Sequence, residues 1–253
     1  MARIISVANQ KGGVGKTTTT VSLGAALAML GSKVLIIDSD PQGNATSGLG
    51  IQKSEVDLDI YDVLVNQTPM KEVIVPTSRE GLDIVPSTIQ LAGAEIELTN
   101  EQRREQRLKE ATSVIRDDYD YILIDCPPSL GHLTMNAFTA SDTVLIPVQS
   151  EYYALEGLSQ LMNTITMVRK HFNAQLRIEG VLLTMFDART NLSAEVRDDV
   201  VKYFREKVYQ TIIPRNVRLS EAPSYGQSII DYDPKSRGAE VYIELAKEVL
   251  ANG

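Results

Sequence analysis

Short apolar runs alternate with longer helix-like segments along this 253-residue chain. The runs at 4–8 (IISVA), 33–38 (KVLIID), 82–86 (LDIVP), 121–125 (YILID), 143–148 (TVLIPV) and 178–184 (IEGVLLT) predict strands. A shorter one is expected at 211–214 (TIIP). Several are β-branched and apolar throughout instead of alternating, the pattern of central parallel strands covered on both faces. Helices are expected over 16–30, about 90–116, 132–141, 152–171, 192–207 and 236–250. The least regular stretch, 41–80, reads as loops and short helices. This βαβα order predicts an α/β fold, a doubly wound and mostly parallel sheet flanked by helices. No repeat, low-complexity segment or Pro/Gly-rich linker divides the sequence, so one domain over 1–253 is expected.

With 43% hydrophobic residues the chain can bury a sizeable core, which excludes a disordered class. Its net charge of −8 argues against wholesale coating of nucleic acid or an acidic membrane, while leaving room for a local basic patch. A single cysteine, Cys126, rules out an internal disulfide. With only His132 and His171 beside it, no zinc cluster can be assembled. The N-terminus runs straight into a strand pattern without a signal-peptide cleavage region, and no apolar run approaches the roughly 20 residues that span a bilayer. A soluble cytoplasmic protein is expected.

The chemistry begins between the first strand and the first helix, in NQKGGVGKTTT at 9–19. Gly12, Gly13 and Gly15 allow backbone N–H groups to approach phosphate oxygens, where a side chain would block them. Lys16 can reach the β- and γ-phosphates, and the Thr17 hydroxyl can reach Mg²⁺. The usual loop pattern has glycine where this chain has Gln10, and a second lysine, Lys11, precedes the glycines. Asp125 ends an apolar strand, which puts it at the carboxyl edge of the sheet as a metal-associated aspartate. Asp38 and Asp40 follow the second strand in IIDSDPQGN, where a carboxylate can orient water or pair with a lysine. The same Asp, Pro, Gly and Asn residues also favour a simple turn.

With these pieces the sequence resembles the ParA/Soj chromosome-partitioning ATPases of the deviant Walker A group, SIMIBI-type P-loop NTPases. KGGVGKTT resembles the group's signature, DSDPQGNATSGLG its switch I segment, and LIDCPPSLG its Walker B and switch II segment. PVQSEYYALEGL, GVLLTMFDART, IPRNVRLSEAPSYGQ and DPKSRGAEVY also look like the chromosomal branch, so the likeness covers essentially the whole chain. The resemblance implies an Mg²⁺-dependent ATPase whose two protomers sandwich two ATP molecules. Lys11, as signature lysine, would reach the partner's phosphates, a cation supplied only when the dimer closes. Residues 11–18, including Val14 and Thr18, would bind ATP. Asp40 would position the attacking water, Asp38 would partner the signature lysine, and Asp125 would act on Mg²⁺ through water. Pro214 and Asn216 would contact adenine, with Met185 and Phe186 as further walls of that pocket. No arginine finger is evident, which implies slow turnover that a partner accelerates.

Residues 201–218 carry Lys202, Arg205, Lys207, Arg215 and Arg218 against Glu206 alone. Such a cluster can contact DNA backbone without reading bases, or it can be a solvated helix face. The resemblance implies non-specific double-stranded DNA binding through Arg189 and Arg218, a ParB/Spo0J-type centromere-binding partner, and nucleoid association in the ATP state. The N-terminal helix-turn-helix of many plasmid relatives is not expected, because the first strand begins by residue 4. A MinD-like membrane-cycling ATPase would need a basic amphipathic C-terminus. Here Glu240, Glu244 and Glu248 stand against Lys247, so no membrane is expected and packing on the sheet is the simpler reading. A carboxylate-activating enzyme of the same superfamily would need a second substrate motif, which is not found. An iron–sulfur relative would need two cysteines per protomer. Cys126 reads instead as a small buried residue beside Asp125.

Overall fold

The computed structural model describes residues 1–150 and 156–252. The strands are β1 (Arg3–Val7), β2 (Val34–Asp38), β3 (Val75–Pro76), β4 (Leu82–Val85), β5 (Tyr121–Asp125), β6 (Thr143–Gln149) and β7 (Arg177–Thr184). They form one sheet in the order β3-β4-β2-β5-β1-β6-β7. Every pairing is parallel except β3 with β4, so the doubly wound, mostly parallel α/β expectation holds. The short antiparallel β3 has no counterpart in the sequence reading.

The helices are α1 (Lys16–Met29), α2 (Asn44–Gly48), α3 (Met70–Val73), α4 (Leu91–Glu97), α5 (Arg107–Ser113), α6 (His132–Ala140), α7 (Glu156–His171), α8 (Asn191–Phe204), α9 (Val217–Glu221), α10 (Ile229–Tyr232) and α11 (Arg237–Ala251). The start of the helix expected at 152–171 lies outside the described residues.

Alternate strand residues feed two cores. Ile4, Leu35, Ile37, Ile122 and Ile124 pack with Leu133, Phe138, Leu161 and Ile165 on one face. Ile5, Val7, Ile36, Leu123 and Leu145 pack with Leu23, Leu27, Tyr242 and Leu245 on the other. A Cβ added to Gly24 would meet Ile36 Cδ1 at 2.8 Å, so α1 lies close against β2 and a larger residue would push it away. Among the described residues no helix is long and apolar enough to cross a membrane.

Three expected elements are corrected. The helix at 90–116 breaks into α4 and α5, joined by 3₁₀ turns at Leu98–Asn100 and Arg104–Gln106, with Arg103 at φ 56°. Between Leu98 and Leu108 no side chain is buried, so a continuous helix there would have no face to pack. The run 211–214 is not a strand. It lies along β7 through Ile213 N–H donating to the Leu183 carbonyl at 2.9 Å and a single bridge between Phe186 and Pro214. Pro214 has no N–H to continue a ladder. The helix expected to 207 ends at Phe204, where a 3₁₀ turn begins with Arg205 at φ 51°.

Candidate nucleotide-binding site

β1 delivers the chain to the carboxyl edge of the sheet, and α1 starts nine residues later. Gly13 (φ 75°) and Gly15 (φ 86°) make the turn in the left-handed region. A Cβ built on Gly12 or Gly13 meets nothing within 4 Å, so these glycines border open space. The loop is tied to the sheet on both sides. Asn9 Nδ2 donates to the Pro147 carbonyl at 2.7 Å while its Oδ1 accepts from Lys11 N–H. Thr184 Oγ1, at the end of β7, donates to the Val14 carbonyl at 2.8 Å. The first turn of α1 carries no side-chain cap and no acidic residue, which leaves its N–H groups and positive dipole end for an anion.

Lys16 is 7% exposed and donates to the Lys11 carbonyl at 3.3 Å. Burial lowers the pKa of its ammonium, and the carboxylate of Asp125 opposes that shift. β-Sheet register brings the acids together, since Asp38 on β2 pairs with Asp125 on β5. Asp125 is fully buried. Its Oδ2 accepts from Thr17 Oγ1 at 2.7 Å and its Oδ1 from Thr20 Oγ1 at 3.2 Å. Burial first, then the neighbouring charge of Asp38, pushes the Asp125 carboxyl up to about 8. Asp38 is pushed up to about 6 by burial, against hydrogen bonds from Thr46 and the Asp40 backbone. Asp40 is 7% exposed, and its Oδ1 accepts from Gln42 N–H at 2.9 Å. Cys126 is buried beside Asp125, as its sequence context suggested, and burial pushes its thiol far up, out of the reactive range.

Next to Gly15 and Thr18 lies a slot of about 320 Å³, lined among others by Met185, Pro214, Asn216, Leu219 and Tyr242. Three of the four residues expected around a base thus meet at one cavity, while Phe186 is not among its lining residues. Asn216 Oδ1 caps α9 by accepting from Arg218 N–H at 2.8 Å, which leaves its amide NH₂ to donate. The two arginines expected at DNA stand apart from this slot in different ways. Arg189 is 88% exposed and grips Asp187 with two hydrogen bonds, at 2.9 and 2.7 Å. Arg218 is paired with Glu221 at 2.9 Å and Asp233 at 3.6 Å. Lys202, Arg205, Lys207 and Arg215 are exposed.

A family model described as an AAA domain matches residues 2–178. Over its full length the chain is 65% identical to the sporulation initiation inhibitor protein Soj of Bacillus subtilis, covering all of that protein. It is 53% identical to the chromosome partitioning protein ParA of Myxococcus xanthus, over 99% of this chain and 88% of that one. The chain belongs to the ParA/Soj family of chromosome-partitioning ATPases. Among solved structures, a cobyrinic acid a,c-diamide synthase of Mycobacterium smegmatis, with bound ADP and magnesium, superposes with a TM-score of 0.87 at 39% identity. The match covers 99% of this chain and 94% of that one. The cell division ATPase MinD of Pyrococcus furiosus follows at a TM-score of 0.80 and 27% identity, covering both chains fully.

In this ParA/Soj-family chain the motif residues of the glycine loop and the three aspartates gather at the carboxyl edge of the sheet, and Met185, Pro214 and Asn216 line one slot beside them. The sequence motifs missed the residues that hold those groups in place. Thr20 fixes the second oxygen of Asp125, Thr184 fixes the loop, and Thr46 with Ser87 fixes the segment that carries Asp38 and Asp40. Thr20 was within reach of a helical argument, because it lies one turn beyond Lys16 and shares its face. Ser87 and Thr184 carry no local signal, since their partners are 47 and 170 residues away.

Proposed function

We propose that this chain is an Mg²⁺-dependent ATPase that closes as an ATP-sandwich homodimer, binds non-specific DNA in that state, and is released by hydrolysis. The reading rests most on one observation. A buried lysine, a threonine–aspartate pair and a second aspartate converge on an open glycine cradle at a helix N-terminus. Gly12 to Thr18 would hold the ATP phosphates through backbone N–H groups, with Lys16 donating to the β- and γ-phosphates. The slot at Pro214, Asn216 and Met185 would take the adenine, its apolar walls against the ring and the Asn216 amide as donor.

The donor set also suits magnesium. Among the described residues no three acidic, His or Cys side chains gather as a metal cluster. Magnesium typically uses few protein ligands and completes its shell with water and phosphate oxygens. Thr17 would supply a hydroxyl and Asp125 a carboxylate acting through water. Bound Mg²⁺ would neutralise phosphate charge as it moves onto the leaving group. Asp40, with Oδ2 not used by Gln42, would accept the proton side of the attacking water and orient it. Lys11 would cross to the partner's phosphates, whereas Asp38, expected from the sequence to partner that lysine, is fully buried and already held by Thr46 and Asp40. Dimerisation would double the surface bearing Arg189 and Arg218 and so couple DNA affinity to ATP by valency. A ParB/Spo0J-type protein would accelerate turnover and reset the dimer during chromosome segregation, with the ATP form associated with the nucleoid.

The test is binding to random-sequence duplex DNA with ADP, ATP or a slowly hydrolysed ATP analogue, at low and moderate salt. Salt-sensitive binding in the ATP-like states alone, lost in Arg218→Glu, is expected. Equal binding in all three states would remove the nucleotide coupling, and no binding in any would remove the DNA function. In parallel, Asp40→Ala should bind ATP and dimerise without turnover, and Lys11→Ala should bind ATP without forming the closed dimer.

A further inference from the structure

The segment that carries Asp38 and Asp40 is fastened from behind by one threonine. Thr46, in the first turn of α2, donates its hydroxyl to Asp38 Oδ2 at 2.7 Å and its backbone N–H to the same oxygen at 2.8 Å. The Thr46 hydroxyl oxygen in turn accepts from Ser87 N–H at 2.9 Å. Ser87 Oγ then donates to the backbone carbonyl of Asp40 at 2.8 Å. Asp40 N–H donates to Asp38 Oδ1 at 3.2 Å, which closes a ring of four residues. Asp38, Thr46 and Ser87 are each 0% exposed, so water does not compete for these bonds.

The far side of this ring is a fixed anchor. Thr88 donates through both its N–H and its hydroxyl to Asp59 Oδ2, and Ile60 N–H donates to the Pro86 carbonyl. The loop after β4 is therefore held independently of switch I. Switch I also runs against it at closest approach. Gly43 sits at φ 57°, and a Cβ there would meet the Ser87 carbonyl oxygen at 2.5 Å. Only glycine fits, so the peptide between Asp40 and Thr46 has one path past Ser87.

We propose that Thr46 is the positioning residue for Asp40, its hydroxyl joining Asp38 to the loop after β4 and so fixing the peptide from which Asp40 reaches the phosphate loop. Thr46 is fully buried and acts through Asp38, Ser87 and Asp40. The proposal rests on the reading of Asp40 as the group that orients the attacking water. Without the hydroxyl, the backbone bond to Asp38 and the Ser87 Oγ bond to the Asp40 carbonyl survive, but the link from Asp38 to Ser87 N–H is lost, so within this ring the segment is held to the loop after β4 by one bond instead of two. Switch I can then drift relative to its anchor, and a displacement of about 1 Å at a positioning group can cost roughly a hundredfold in rate.

The experiment compares Thr46→Val, which keeps the shape and loses the hydroxyl, with Thr46→Ser, which keeps the hydroxyl. Single-turnover hydrolysis at saturating Mg²⁺-ATP and equilibrium ATP affinity are measured for both, with Asp40→Ala alongside. Thr46→Val should lose about tenfold or more in the hydrolysis rate while ATP affinity stays within about threefold, and Thr46→Ser should recover most of the rate. A merely structural role would lower affinity and rate together and would not be rescued by serine. Parental turnover in Thr46→Val with an inactive Asp40→Ala overturns the positioning role alone. Normal turnover in Asp40→Ala overturns the underlying reading of Asp40, whatever the threonine variants do. Should Thr46→Val fail to fold, Thr46→Ala removes the same hydroxyl with a smaller side chain. It should slow hydrolysis at unchanged affinity, and a parental rate there overturns the proposal.

Discussion

At the scale of single residues the site sets like charges against burial. Asp38 and Asp125 are side by side in the sheet register, fully buried, and close enough that the charge of Asp38 raises the cost of ionising Asp125. An unfolded aspartate titrates near 3.9. In the folded chain Asp38 is pushed up to about 6 and Asp125 to about 8. Between those values the native state keeps protons that the unfolded chain has released. The stabilisation from these two groups is therefore complete below about pH 4 and is lost as pH rises through 6 towards 8. The nucleotide-free protein should melt at progressively lower temperature across that window, and Asp125→Asn should flatten the profile relative to the parent. Superimposable profiles for the two proteins would show that Asp125 is already ionised well below neutral pH. Lys16 is the counter-case, a cation whose burial lowers its pKa while the charge of Asp125 opposes that shift. Lys16→Met should weaken ATP binding by roughly ten- to a hundredfold, the worth of one charge-assisted contact in a low-dielectric site. Isothermal titration with a slowly hydrolysed analogue reads it directly, and unchanged affinity would remove Lys16 from the phosphate contacts.

At the scale of elements, legibility in the sequence followed burial. β1, β2, β5 and β6 are covered on both faces, so their unbroken apolar runs marked them within a residue or two. The polar stretch 99–107 gave no such signal, and the helix drawn through it is in fact two helices. That break has a structural use. It leaves α4 free to set Glu95 against the start of α6, where its carboxylate accepts from His132 N–H at 2.8 Å and Leu133 N–H at 3.2 Å. Gly131 admits this approach, because a Cβ there would meet Glu95 Oε1 at 2.5 Å. α6 follows the segment after Asp125, so Glu95 fixes the far end of that segment. Removing a cap and a favourable charge at a helix N-terminus costs about 0.5–2 kcal/mol. Glu95→Ala should lower the melting temperature by a few degrees, and Glu95→Gln should fall between it and the parent. Equal melting of all three would mean that water caps α6 as well as Glu95 does. The motif residues were legible because strand, loop and helix adjoin in sequence. Thr46 lay in plain view within switch I, but its partner Ser87 is 41 residues on and no local pattern joins them.

At the scale of the whole molecule, burial and charge are divided between the faces of the outer helices. The C-terminal helix α11 spends its apolar face on the core, with Val241, Tyr242, Leu245, Ala246 and Val249 all buried. Glu240, Glu244 and Lys247 are left outward, which suits packing and gives no apolar face for an anionic bilayer. An acidic chain that binds DNA must concentrate its cations and keep its acids away from them, yet the two arginines proposed at DNA are each held by a carboxylate. Arg189 is locked on Asp187, and Arg218 on Glu221 and Asp233. A DNA phosphate competes with those exposed partners for the guanidinium donors, so part of the proposed affinity depends on a competition within the protein. Releasing either arginine should tighten DNA binding in the ATP state. Asp187→Asn and Glu221→Gln should each raise affinity at low salt and steepen its salt dependence, because every additional phosphate contact adds about 0.9 to the log–log slope. In a dimer each substitution acts twice, so the increment per variant should approach twice that value if both copies touch one duplex. A slope increment for one contact only would place a single protomer on the DNA. Unchanged affinity and slope in both variants would show that these arginines do not face the duplex, and would move the interface to the exposed Lys202, Arg205 and Lys207 cluster.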